Sequence, residues 1–252
     1  MGRVALGVFV LAVSFGTSCA EFRPAVLPIH DLNTLPLSRN EVKGEVPVRI
    51  LDELVEVTLR RDGTWRRVYR SKYRILTASG VADWGTTGAQ YSPWYQKVPV
   101  VRARVTDPQG VAHDLDPKTL SESPVPSSTP ETYTDRKVVK APLPAIEIGS
   151  VVEEMLETES HRAFFDGGES FRVLFGNAIP KDHVKVVVTV PDGIAFRYEL
   201  RGAKAKVTEG RDGASRKVEF EGGPYEPLGL PEAFLPPELP AWPHLEFTTG
   251  DS

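Results

Sequence analysis

The stretch from residue 55 to residue 75 reads VEVTLRRDGTWRRVYRSKYRI and carries the clearest secondary-structure signal in the chain. From Val55 to Leu59 every second residue is apolar, which is the period-two pattern of a half-buried β-strand. Asp62-Gly63 then forms a dipeptide typical of a type I′ turn, so a return strand is expected from Trp65 to Ile75. The stretch therefore predicts a β-hairpin.

Basic side chains occupy one face of the predicted return strand, at Arg66, Arg70, Lys72 and Arg74. Alternating cations on an outward face keep a sheet soluble and discourage pairing at its edge. This interpretation is favoured here over contact with an anionic polymer, which stays open as the alternative.

Further strands are predicted along the rest of the chain, and turn residues separate them. They are expected at Val98–Val105, Val111–Leu115, Tyr133–Val139, Phe171–Phe175, Val184–Val190, Ile194–Leu200 and, as a weaker edge strand, Lys217–Phe220. Ser150–Ser160 fits either a helix or a strand and is assigned as a strand, whereas Ser121–Pro130 is expected to be a loop. Many short strands at regular spacing predict an all-β fold, an antiparallel β-sandwich with short hairpins.

The predicted sandwich occupies residues 48–222. A leader segment with scattered prolines is expected at residues 21–47, and a proline-rich extended linker or exit segment at residues 223–252. Prolines cannot donate to a regular ladder, so the second of these segments is expected to run extended.

Residues 1–20 have the pattern of a secretory signal peptide. Arg3 precedes an apolar run from Val4 to Phe15, which is too short to span a bilayer, and small residues follow. Two outcomes are open: cleavage after Ala20, or lipidation of Cys19 in a sequence that resembles a bacterial lipoprotein box. The protein is therefore expected to be exported, periplasmic or outer-membrane-associated, with membrane contact only through a lipid anchor at Cys19.

Composition excludes several classes of protein and site. The chain has one cysteine, which excludes a disulfide framework and a multi-thiolate zinc site. Its net charge of −4 gives no general attraction to nucleic acid. The five histidines are scattered, and neither phosphate-binding glycine loops nor a nucleophile elbow is present, so no metal or other cofactor is predicted.

Two groups of side chains are candidates for a function. Glu153, Glu157 and Glu159 would share one face of a strand, as a glycosidase acid and base could, although acidic runs are usually solvated. Four aromatic residues could stack on sugar rings, although aromatic side chains more often fill a core: Trp84, Tyr91, Trp94 and Tyr95.

Several motifs recur in a familiar order. They are Asp62-Gly63, Val101–Val105 with Pro108-Gln109-Gly110, Tyr133-Thr134-Asp135 and Leu143–Glu153. Together they resemble the β-rich domain of unknown function that precedes the transglutaminase-like core in many secreted or envelope-associated bacterial proteins. The resemblance covers roughly Val48–Leu200 and the proline-rich exit segment.

This resemblance implies a β-sandwich that is not itself the catalytic unit. In such proteins a Cys-His-Asp core usually follows, and Ala241–Phe247 looks like the link into it. No catalytic residue is carried over to this chain. We therefore expect a non-catalytic envelope module that contacts an envelope protein or a cell-wall polymer. A carbohydrate-binding module and the front half of a transglutaminase-like cysteine protease or transferase are the alternatives.

Overall fold

The computed structural model describes residues 44–125, 134–165, 168–229 and 242–250, and these residues form an almost entirely β structure. The predicted signal peptide, Cys19 and nearly all of the leader lie outside the described residues. The strands are β1 (Val48–Leu59), β2 (Trp65–Ile75), β3 (Thr86–Tyr91), β4 (Val100–Thr106), β5 (Ala112–Asp114), β6 (Ser121–Pro124), β7 (Lys137–Pro142), β8 (Val151–Glu159), β9 (Ser170–Leu174), β10 (Val184–Pro191), β11 (Phe196–Arg201), β12 (Lys206–Asp212), β13 (Ser215–Gly222) and β14 (His244–Thr249). One short helix, α1 (Ala78–Asp83), and a 3-10 turn (Pro117–Thr119) complete the described elements. The predicted all-β class is confirmed.

The hairpin of β1 and β2 forms as predicted, but its turn is of another type. A type I′ turn needs a positive φ at both central residues, and in this turn only Gly63 has one, at 77°. The amide of Gly63 donates to the carbonyl of Arg60, and Asp62 accepts hydrogen bonds from the backbone and hydroxyl of Thr64. The connection between Leu59 and Trp65 is therefore longer than a two-residue turn, and the side-chain hydrogen bonds of Asp62 stabilise it.

Eight strands form the large sheet, in the order β12-β13-β10-β1-β2-β8-β4-β5. All neighbours in this sheet are antiparallel except β1 and β10, which pair in parallel from Glu53 opposite Val184 to Thr58 opposite Thr189. The valines of β10 at 184, 186, 188 and 190 are buried, as their period of two predicts.

Two small sheets lie side by side over one face of the large sheet, and each covers its own apolar core. The sheet β11-β14-β9 covers the first core, in which Phe175, Phe220 and Phe247 are fully buried. The sheet β3-β7-β6 covers the second core, built around Tyr73 and Ile75. The architecture is thus a sandwich in which one layer is divided into two.

A polar seam separates the two cores on the inner face of the large sheet; its members are Glu53, Arg67, Tyr69, Ser71 and Glu154. Glu53, Ser71 and Glu154 lie directly opposite one another on three adjacent strands. The ammonium of Lys181 contacts both carboxylate oxygens of Glu53, at 2.9 and 3.0 Å. The alternating apolar residues of the strands predict one continuous core. The division of that core by the polar seam is seen only in the tertiary structure.

The predicted exit segment is corrected at its C-terminal end. Residues 244–249 form β14, the middle strand of a small sheet, where Leu245 and Phe247 are buried. The predicted C-terminal limit of the exit segment was wrong because the prolines end at Pro243. After Pro243, apolar and polar residues alternate in the ordinary strand pattern.

Other strand assignments differ more locally. The strand predicted at Ser150–Ser160 is confirmed as β8. Residues 121–124 of the predicted loop form the short strand β6, and the predicted edge strand is β13, which pairs on both sides because β12 lies outside it. Strand β12 is exposed along its whole length, so it lacks the apolar face by which a strand is recognised in sequence.

In the part of the chain that is described, no helix has the length and apolar character needed to cross a membrane.

Candidate functional site

The four aromatic residues predicted as a sugar platform do not share one surface. Tyr91 is buried in the second core, where its hydroxyl donates to Glu122 at 2.5 Å. Trp84 is partly buried and packs edge-on against Tyr73, with ring centroids 5.1 Å apart. These two rings therefore contribute to packing, as aromatic residues of a β domain commonly do.

The other two, Trp94 and Tyr95, form an exposed group with Phe164 and Phe165, and we call these four residues the end cluster. Ring centroids lie 4.6 Å apart for Trp94 and Tyr95, 5.3 Å for Trp94 and Phe164, and 4.2 Å for the two phenylalanines. Trp94 is 42% exposed and Phe165 is 63% exposed. A contiguous exposed aromatic group of this kind is typical of a contact surface.

Backbone hydrogen bonds hold the two loops of the end cluster together. The first loop begins at Ser92, whose carbonyl accepts from the amides of Tyr95 and Gln96. The amide of His161 in the second loop donates to the carbonyl of Tyr95 at 2.9 Å. The guanidinium of Arg162 lies 5.0 Å from the ring centroid of Trp94, within the range of a cation–π contact. The cluster is thus positioned by the scaffold.

A cavity of about 500 Å³ adjoins the end cluster, between Tyr95, Phe164 and Phe165 on one side and Thr248 and Thr249 of β14 on the other. Glu169 also lines it and accepts a hydrogen bond from the amide of Phe164 at 3.1 Å. Burial raises the pKa of Glu169. The volume lies in the range of small-molecule or side-chain pockets.

Sequence reasoning missed Phe164 and Phe165, which are the most informative members of the cluster. Both lie in the loop after β8, outside any strand pattern. Two adjacent aromatic residues in a loop were the only available signal, because a loop side chain that is not needed for a core is free to serve a contact.

Glu153, Glu157 and Glu159 of β8 share one face as predicted, and each of the three is ion-paired there. Glu153 lies 2.8 Å from Lys72, Glu157 lies 2.6 Å from Arg66, and Glu159 contacts both Arg60 and Lys97. The partner cations hold the pKa of Glu157 and of Glu159 below the usual range. A general acid needs a raised pKa, which these two carboxyls lack.

Basic side chains on the outer face of β2 form ion pairs with the neighbouring strands. Arg66 and Lys72 pair with glutamates of β8, and Arg70 pairs with Glu56 of β1. These cations are therefore largely neutralised across strands, which supports the solvated-face interpretation over contact with an anionic polymer.

The described residues contain no group of three or more acidic, histidine or cysteine side chains that could hold a metal ion. The histidines lie apart: His113 contacts Asp107, His183 bridges Asp52 and Glu221, and His244 contacts the carbonyl of Trp242.

Comparison with known proteins identifies the family. A family model described as "Domain of Unknown Function with solved-structure structure (DUF3857)" matches residues 61–228, and no curated protein matches the chain. The fold is similar to the crystal structure of a "putative protease" from Parabacteroides distasonis ATCC 8503, with a TM-score of 0.71 and 18% identity. That alignment covers 81% of this chain and 40% of the other, so this chain spans less than half the length of that protein. Because the family match covers more than half of the chain, the protein belongs to the DUF3857 family.

Proposed function

We propose that this chain is a non-catalytic β-sandwich module of an exported envelope protein, and that it acts by contact with a protein domain. The proposed partner is a domain of the transglutaminase-like class, as the resemblance of the ordered motifs implies. In this proposal, the proteolytic activity suggested for the Parabacteroides protein belongs to the part of that protein outside the shared fold.

The end cluster is the observation that carries this proposal. Three of its rings are more than a third exposed, at Trp94, Phe164 and Phe165. Exposed aromatic side chains beside a cavity are the groups that anchor protein–protein contacts. Strand β14 ends at Thr249 beside the same rings, so a domain that follows β14 in a longer protein would emerge next to them.

The ring geometry favours a protein over a sugar as the occupant. The planes of neighbouring rings in the cluster are inclined by 53°, 46°, 64° and 87°. A flat sugar ring stacks on an exposed ring face, whereas tilted rings that cover one another's faces offer edges and clefts to side chains of a partner.

The ion-paired carboxylates of β8 support the non-catalytic part of the proposal. Glu157 and Glu159 are stabilised in the ionised form by their cations, so neither is suited to donate a proton near neutral pH. The export part rests on the sequence of residues 1–20.

A binding measurement with a purified transglutaminase-like core from a longer DUF3857 protein tests the proposal. We expect Trp94→Ser and Phe165→Ser each to weaken binding at least about tenfold, as loss of a buried aromatic anchor does. The matched control is Val207→Ser, which changes an exposed apolar residue on the edge strand β12 and should leave binding unchanged.

Two results would overturn the proposal. Equal binding by wild type and both aromatic variants would remove the end cluster as the contact. Saturable binding of a soluble cell-wall glycan that is lost in Trp94→Ser, without binding to the protein domain, would favour the carbohydrate-binding alternative based on Trp94 and Tyr95.

A further inference from the structure

Arg67 lies on the inner face of β2, within the polar seam. It stands opposite Val57 of β1 and Thr158 of β8, and it alternates with Trp65 and Tyr69, which also face inward. Its side chain is partly buried and its Nε atom is closed off from solvent. An arginine in this position has given up most of the hydration that an exposed guanidinium keeps.

The Nε atom of Arg67 has no hydrogen-bond partner among the described residues, and Glu53 attracts the guanidinium only from beyond ion-pair distance. The two nearest acidic members of the seam are already engaged: Glu53 by Lys181, and Glu154 by the hydroxyl of Thr87 at 2.9 Å. Burial lowers the pKa of Arg67, but an arginine remains charged at neutral pH. A desolvated cation without a carboxylate in direct contact is costly, so an anion that reaches it would be bound favourably.

A cavity of about 320 Å³ has Arg67 in its wall, and we call it the Arg67 cavity. Its lining is formed by Arg67, Tyr69, Ala89, Gln90, Leu156 and Thr158. The side-chain oxygen of Gln90 accepts a hydrogen bond from Arg136, so its amide nitrogen is the group that remains to donate into the cavity. The cavity therefore combines one cation, the polar side chains of Tyr69, Gln90 and Thr158, and the apolar side chains of Ala89 and Leu156.

We propose that the Arg67 cavity binds a carboxylate carried by a small apolar body. The planar guanidinium matches a carboxylate in a two-point hydrogen bond, and one cation balances one negative charge. Phosphate would bring more charge than a single arginine compensates. A peptide C-terminus and a short-chain organic acid share this chemistry, and the volume suits a ligand or side chain of either kind.

Thermal-shift measurements at constant ionic strength test this proposal with four probes: the peptide N-acetyl-Ala-Ala-Leu, its C-terminal amide, butyrate and inorganic phosphate. We expect the free-acid peptide or butyrate to raise the Tm of the wild type. A shift with the acid peptide but not with butyrate identifies a peptide terminus, whereas a shift with butyrate identifies an organic acid. Arg67→Met should abolish the shift and, without ligand, raise the Tm, because it removes an uncompensated buried charge.

The matched control is Arg74→Met, which removes an exposed arginine from the outer face of the same strand and should keep the wild-type shift. Ala89→Leu narrows the cavity while keeping Arg67, and it should also abolish the shift, which decides the matter if Arg67→Met does not fold. The proposal is overturned if none of the probes shifts the wild type, if only phosphate does, or if Arg67→Met responds like the wild type.

Discussion

Lys181 and Glu53 form an ion pair whose side chains are only 4% and 6% exposed. The hydroxyl of Tyr69 also donates to Glu53, at 3.2 Å, and the ammonium of Lys181 also donates to the carbonyl of Leu174. A buried pair of this kind is tolerated because each charge and most hydrogen-bonding groups are satisfied. At the residue scale, the seam depends on this pair.

We expect Lys181→Met to lower the free energy of unfolding by about 3–5 kcal/mol, because it leaves the carboxylate of Glu53 buried and unpaired. The matched control is Lys72→Met, which breaks the pair with Glu153, whose side chains are 48% and 50% exposed. An exposed pair contributes only about 0–1 kcal/mol. Urea denaturation of the two variants measures both values, and equal losses would contradict the buried role of Lys181.

His183 immediately precedes β10 and links β1 with β13 on the outer face of the large sheet. Its Nδ1 lies 2.6 Å from Asp52 of β1 and its Nε2 lies 3.0 Å from Glu221 of β13. The hydrogen bond to Asp52, followed by that to Glu221, raises the pKa of His183 above its ordinary value. Because the folded-state pKa is the higher one, the stabilisation is complete below the unfolded pKa of about 6.5 and is lost as the pH rises through the folded pKa.

We therefore expect His183→Gln to lower the Tm more at about pH 5.5 than at about pH 8.5, because the stabilisation that comes from the raised pKa of His183 is lost as the pH rises. Calorimetry of wild type and variant at both values checks this. His161→Gln is the control, because that imidazole lies 3.3 Å from the carbonyl oxygen of Pro93 and bridges no carboxylates. A larger effect of His183→Gln at the higher pH would reverse the sign and refute the assignment.

At the scale of elements, β14 shows that a strand directly after a proline-rich segment can form part of a core. It pairs with β11 on one side and β9 on the other, and it buries Leu245 and Phe247 against the large sheet. Burial of two large apolar side chains stabilises the fold by several kcal/mol in total, which is enough to hold the strand after a proline-rich approach.

We expect Leu245→Ala to cost about 2–5 kcal/mol of unfolding free energy, the range for removing a fully buried leucine side chain. Val207→Ala is the control in the exposed edge strand β12 and should change stability by less than about 0.5 kcal/mol. Denaturant titration of both variants decides the point. A loss for Leu245→Ala as small as that of the control would mean that residues 244–249 behave as a linker after all.

At the scale of the whole molecule, one long sheet joins two cores. Strands β1 and β2 reach from the second core, at Val48 and Ile75, to the first core, at Leu59 and Trp65. The seam between the cores is where the small sheets separate and the Arg67 cavity opens, while the end cluster lies at the end of the first core. Both candidate surfaces therefore occur where a small sheet stops covering the large one.

The sequence predicted most strands but fewer of the residues in the candidate sites. Strand β10 was recognised from its alternating valines, and β8 because the glycine before it and its β-branched start outweighed the helix-forming glutamates. The sequence indicates Trp94 and Tyr95 as candidates but not Phe164 and Phe165, because contact between two loops depends on the path of the chain through space. The seam was missed because a charged residue on an inward face has the same sequence pattern as one on an outward face.

By itself, the sequence determined the all-β class, the first hairpin and the strand at β10, since local alternation and turn chemistry act over a few residues. Only tertiary structure decided the parallel pairing of β1 with β10, the insertion of β14 between β9 and β11, and the burial of the Nε atom of Arg67 without a hydrogen bond. The physical reason is that pairing and burial depend on which distant segments cover a face, and no local pattern of residues specifies that partner.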